Sequence, residues 1–147
     1  MLLIGVKNTG TQTVLADGLV SIGSVYRKYC KRNQCGVPAF STTSEGVTLQ
    51  HSGIYHVTAT FVVSAPAAGV VTTQLLLNGV EVDGAFASET ITTAATEFRT
   101  MVIDYYILVD KGNVLDTEST IAQTISFSNT GDDATYTSVV VNVDKVV

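Results

Sequence analysis

From Gly53 to Gly84 apolar residues recur at every second position, and that period leaves little choice of fold class. Tyr55, Val57, Ala59, Phe61 and Val63 alternate with polar or small residues, which is the pattern of a strand with one buried face. The run breaks at Ala65-Pro66-Ala67-Ala68-Gly69, where Pro lacks a backbone donor and Gly permits a turn. A second run, Val70 to Leu77, sets Val71, Thr73, Leu75 and Leu77 on one side. Asn78-Gly79 follows as a strong hairpin signal, leading to Val80, Val82 and an expected second turn at Asp83-Gly84. The expectation is a three-stranded antiparallel meander that the rest of the chain completes and covers.

The remainder carries the same period. Leu2, Ile4 and Val6 alternate before Asn8-Thr9-Gly10, and Val14-Leu15, Val20 and Ile22 are separated by Asp17-Gly18 and Gly23. Val25 to Tyr29, Val37 to Ser41 and Val47 with Leu49 read as further strands. Ala85 to Glu97 reads as a long connection holding a short strand at best, and Phe98 to Val109 as the longest strand. Ile121 to Phe127 and Tyr136 to Val147 complete the set. No helical window of about ten residues is found, so the chain is all-β. About ten strands at short spacing imply a sandwich or barrel. Residues 1–147 are expected to form one domain. The opening 1–24, poor in aromatics and divided by glycines, is expected to be strands or an arm free to reach outward.

Two strands are apolar on both faces. On the last strand but two, Met101, Ile103, Tyr105, Ile107 and Val109 form one face, and Phe98, Val102, Asp104, Tyr106 and Leu108 the other. The final strand sets Val139, Val141 and Val143 together, with Tyr136, Val140 and Val146 opposite. A second apolar face needs a second burial surface, which another copy of the chain supplies. Only 14% of residues are charged, against roughly 25% in an ordinary soluble domain, and poorly charged sheet edges invite pairing. Tyr106, Leu108, Tyr136 and Val140 are the expected interface residues.

Charge and hydropathy exclude several classes. A net charge of −5 argues against general nucleic-acid binding. No apolar run approaches the roughly 20 residues that span a bilayer, so no membrane contact is expected. Met1-Leu2-Leu3-Ile4 is too short for a signal-peptide core, and synthesis in the cytoplasm is the expectation. Arg27, Lys28, Lys31 and Arg32 hold half of the 8 cationic side chains. They read either as a solvated loop or as an electrostatic contact with an acidic neighbour, the next subunit or another protein.

Cys30 and Cys35 are spaced C-x4-C, and His51 and His56 H-x4-H. These are zinc ligand types, but strand parity puts the two histidines on opposite faces unless Ser52-Gly53 turns between them. Metal is therefore not expected. Two free thiols are the default, with a Cys30–Cys35 disulfide as the alternative outside the cell. Asp110, Asp116, Glu118, Asp132 and Asp133 read as solvated turn residues rather than a calcium site. No nucleophile elbow, zinc-protease motif or phosphate loop occurs, so neither an enzyme nor a cofactor is expected.

Gly53-Ile54-Tyr55, Leu75-Leu76-Leu77-Asn78-Gly79, the Phe98–Val109 strand closed by Asp110-Lys111-Gly112-Asn113, and the hydrophobic last strand resemble the C1q/TNF-like jelly roll. Asn8-Thr9-Gly10-Thr11-Gln12-Thr13-Val14 and Tyr26-Arg27-Lys28-Tyr29 resemble small bacteriophage and prophage proteins encoded among virion genes. The resemblance implies an antiparallel jelly-roll sandwich, a homotrimer about a three-fold axis, and a structural role on the virion surface beside other virion proteins. A capsid decoration or head fibre is the leading expectation, with the N-terminal segment and the four cations facing the supporting protein. A trimeric module binding a host surface glycan or receptor is the alternative. Aromatic loop residues would favour it, and the expected loops hold only Phe86.

Overall fold

The computed structural model describes residues 2–30, 40–109 and 123–146, with the side chain of Cys30 outside that description. Among the described residues there are eleven strands and no helix. In order they are β1 (Leu2–Asn8), β2 (Gln12–Val14), β3 (Ser24–Cys30), β4 (Phe40–Thr42), β5 (Gly46–Leu49) and β6 (Gly53–Ser64). Then come β7 (Gly69–Leu77), β8 (Val80–Ile91), β9 (Arg99–Val109), β10 (Gln123–Asn129) and β11 (Ala134–Lys145). One sheet runs β3-β1-β11-β6-β9, with β2 also paired to β11; the other runs β4-β5-β10-β7-β8. Neighbouring strands are antiparallel throughout, and the connections carry the chain repeatedly from one sheet to the other.

The core lies between the sheets. Tyr55, Val57, Ala59, Phe61 and Val63 are buried as their alternation requires, against Met101, Ile103, Ile107 and Val109 of the neighbouring strand. Phe61 stands edge-on to Phe127 at 5.3 Å and to Tyr136 at 5.9 Å between ring centroids. Both buried phenols are satisfied: Tyr55 donates to the His51 carbonyl at 2.7 Å, and the Tyr136 and Thr73 hydroxyls bond each other at 2.7 Å. Burial pushes each phenol up to about 12.

Three expectations need correction. The meander holds only in part. Asn78 and Gly79, both with positive φ, close the β7–β8 hairpin, but β6 belongs to the other sheet. The Pro66 segment therefore carries the chain across the core instead of folding it back beside itself. Second, Ala85–Glu97 is not mainly a connection, because β8 continues to Ile91. This strand is an edge, exposed along most of its length, so it lacks the apolar alternation that marks buried strands. Asp83-Gly84 makes a bulge within it: residues 82–85 stand opposite Leu75, where Gln74 Nε2 bonds the Val82 and Ala85 carbonyls.

Third, the opening segment is no free arm. β1 lies inside the six-stranded sheet, and Leu2, Ile4, Val6, Val14, Val20 and Ile22 are all buried. Residues 17–20 then run along the other sheet, with Asp17 N donating to the Asn129 carbonyl and Val20 N to that of Phe127. Buried Asn129 fastens the crossing, its Nδ2 bonding the Val14 carbonyl at 3.0 Å and the Asp132 carbonyl at 2.7 Å. Six buried apolar side chains are too much core for a sandwich to close without them.

Candidate functional site: an exposed sheet face

The six-stranded sheet has one face in the core and one outside. Outward-pointing residues of β6 are Ile54, His56, Thr58, Thr60 and Val62, beside Thr100, Val102, Asp104, Tyr106 and Leu108 of β9. Leu108 is 65% exposed, Tyr106 59% and Val102 53%. Ile54 and Val146 add to the same apolar area. These apolar side chains stand together on one outer sheet face, where such a group is a candidate contact surface.

Tyr106, Leu108 and Val140 lie on this face as the alternation requires. Tyr136 does not: it is fully buried in the core. The reason is a bulge in β11, where Tyr136 pairs with Val63 and Ser138 with Val62, so the pairing skips Thr137. One inserted residue reverses the parity, and Tyr136 comes to share the buried face with Val139.

The polar part of the face is organised around His56. Its Nε2 hydrogen-bonds Asp104 Oδ1, its Nδ1 lies 3.7 Å from Asp144 Oδ1, and its ring stacks on Tyr106 at 4.7 Å. The imidazole is thus bonded to a carboxylate on β9, with a second carboxylate on β11 close by. At the opposite edge of the sheet, Tyr26 crosses the side-chain-free surface of Gly5 and donates to Asn142 Oδ1 at 2.7 Å. Lys7 and Arg27 approach the Tyr26 ring at 5.1 and 5.8 Å, which is cation–π distance. The face is therefore basic and aromatic at β3 and β1, acidic and apolar at β9.

Neither the His56–Asp104–Asp144 cluster nor the Tyr26–Gly5 contact was anticipated from sequence. The signal available was the shared parity of 54–62 with 100–108, which becomes contact only once register is known.

Of the four cations expected to dock a partner, Arg27 and Lys28 are exposed on β3, while Lys31 and Arg32 lie outside the described residues. Register places Arg27 opposite Gly5 and Lys28 opposite Ile4, so the two neighbours fall on different sides of the strand. For the zinc alternative, His51 lies in the bend before β6 and His56 on the outer face, while Cys30 ends β3 and Cys35 lies outside the described residues. Asp132 and Asp133 accept from backbone Val70 N–H and Ala16 N–H at 2.9 and 3.0 Å, as turn residues do. Asp110, Asp116 and Glu118 lie outside the described residues.

Two antiparallel sheets in this strand order have the C1q/TNF-like jelly-roll fold. The globular domain of zebrafish complement 1qA protein is similar with a TM-score of 0.64 and 9% identity, over 100% of this chain and 98% of that one. Eiger TNF from S. frugiperda is similar with a TM-score of 0.65 and 12% identity, over 100% and 94%. Murine APRIL gives 0.64 at 5% identity, over 97% and 98%. No family model matches the chain, and no curated protein matches it in sequence. The likeness is one of fold.

Proposed function

We propose that the chain is a homotrimeric structural protein of a bacteriophage virion surface, a capsid decoration, head fibre or similar component. The observation that carries the assembly is the exposed outer face of the six-stranded sheet, with Val102, Tyr106 and Leu108 in one row along β9. Burial of a large apolar side chain contributes about 1.5–3 kcal/mol, and three copies bury such a face about a common axis. The jelly-roll fold supports this reading, because the C1q/TNF-like resemblance implies trimers. The virion assignment rests on the resemblance of residues 8–14 and 26–29 to small phage proteins.

Light scattering across micromolar concentrations tests the assembly. The expected mass is three times the 15.5 kDa of the chain, and a monomer throughout that range refutes the trimer. Immunogold electron microscopy of purified virions tests the location. Labelling at regular sites on the particle is expected, and particles without label refute the virion role.

A further inference from the structure

The outer face carries opposite charge at its two edges, and the charges stand at the same height. Reading across the sheet, Arg27 pairs with Gly5, Gly5 with Asn142, Asn142 with Thr58 and Thr58 with Asp104. Arg27 and Asp104 thus occupy one row, four strand spacings apart, or roughly 19 Å at the usual strand separation. Within one molecule they do not meet. Among the described residues neither Arg27 nor Lys7 has a carboxylate partner. Asp104 gives one oxygen to His56, yet its side chain stays 58% exposed. No outward-pointing residue of β9 is cationic.

We infer that these two edges are complementary halves of one heterologous contact: Arg27, with Lys7 behind it, docks on Asp104 of the next copy. This rests on the trimer reading above and specifies which part of the face meets which. A ring of identical subunits requires each contact to join two different patches. If the axis runs along the strands, rotation preserves height, so the β3 end of one copy meets the β9 end of its neighbour at the same row. The apolar flanks match as well. Tyr26 and Tyr29 flank the cation, Val102 and Tyr106 flank the carboxylate with Leu108 beyond, and all five are exposed. The apolar residues supply the buried area, and the charge pair fixes register and direction. An inverted or slipped pairing sets Asp104 against apolar surface or against its own copy in the neighbour, at a cost.

Charge reversal tests this. Arg27→Glu alone and Asp104→Arg alone each put like charges together at every contact of the ring. Each is expected to raise the concentration of half-dissociation at least about tenfold, the scale of close interfacial charge pairs. The double variant restores one opposite pair per contact, with reversed polarity. It is expected to return to within about threefold of wild type, as a coupled pair must. Analytical ultracentrifugation provides the readout, with far-ultraviolet circular dichroism confirming the fold. Arg27→Gln with Asp104→Asn serves if a reversal does not fold, and is expected to assemble with less salt dependence than wild type. A wild-type trimer that is indifferent to both single reversals, or a folded double variant that recovers nothing, overturns the pairing and leaves the trimer standing. Should the reversals not fold, an unchanged salt dependence in the neutral pair overturns it equally. A monomeric wild type overturns both.

Discussion

Gly23 shows how one residue holds two segments in place. Its φ is +81°, and a Cβ there would collide with the Lys7 carbonyl, which is backbone and has no means of moving aside. Gly79 has nearly the same φ, +79°, but nothing lies within 4 Å of the added atom. A left-handed conformation costs a non-glycine residue about 1–3 kcal/mol. Gly79→Ala should therefore show that cost alone, and Gly23→Ala a larger one. At roughly 2–4 °C per kcal/mol for a chain of this size, the separation is measurable by thermal melting. Equal shifts for the two variants would show that the β1 contact adds nothing. The two buried phenols make a second residue-scale prediction. With folded values near 12 against an ordinary value near 10, Tyr55 and Tyr136 favour folding fully below pH 10. That contribution fades as pH rises from about 10 through 12. Phenolate absorbance and circular dichroism followed together should show Tyr55 and Tyr136 ionising only as the protein unfolds. Complete phenolate formation in a protein that is still folded at pH 11 would contradict it.

Elements were legible in proportion to how strongly one face is buried. β6 and β9 each bury one face at nearly every second residue, and the reading of each from sequence was close. β8 was read at Val80 and Val82 but not beyond Asp83-Gly84, because an exposed edge strand has no such constraint and its Ser88, Glu89 and Thr90 look like a loop. The β11 bulge was invisible for another reason: skipping Thr137 changes no residue type, only which side Tyr136 takes. Sheet membership was equally hidden, since a Pro-Gly turn marks where β6 ends but not where β7 goes. The β8–β9 connection has its own fastening. Glu97 accepts from the Thr92 and Thr93 amides at 2.6 and 2.9 Å and from Arg99 at 2.6 Å. Those bonds, led by the Thr93 amide, hold its carboxyl down at about 2. A depressed carboxylate stabilises the bonded state above its ordinary pKa and loses that effect as pH falls toward 2. Glu97→Gln is expected to mimic the acid state, with faster hydrogen exchange at Thr92 and Thr93 and little change elsewhere. Unaltered exchange at those two amides would mean that the loop is held by something else.

Across the whole molecule the trimer proposed above divides the aromatic residues between fold and assembly, and two tyrosines test that division. Tyr136 sits between Phe61 and Thr73 with no exposed surface. Tyr106 lies on the outer face, touching its own chain chiefly through the stacked His56 ring. Tyr136→Phe removes a hydroxyl and leaves buried Thr73 without its partner, a loss of about 1–3 kcal/mol in stability. Because nothing on the outer face changes, the proposed trimer should dissociate at the wild-type concentration while the melting temperature falls. Tyr106→Ser together with Leu108→Ser should do the reverse. Two exposed side chains contribute little to the isolated fold, but each buried at an interface contributes about 1.5–3 kcal/mol per copy. Self-association should weaken by at least about a hundredfold, since 1.4 kcal/mol corresponds to a factor of ten. Secondary structure should stay unchanged. Sedimentation at graded concentration and thermal melting at one low concentration, where both variants are monomers, resolve the two effects. If the double serine variant assembles as wild type does, the outer face of the six-stranded sheet is not where copies meet.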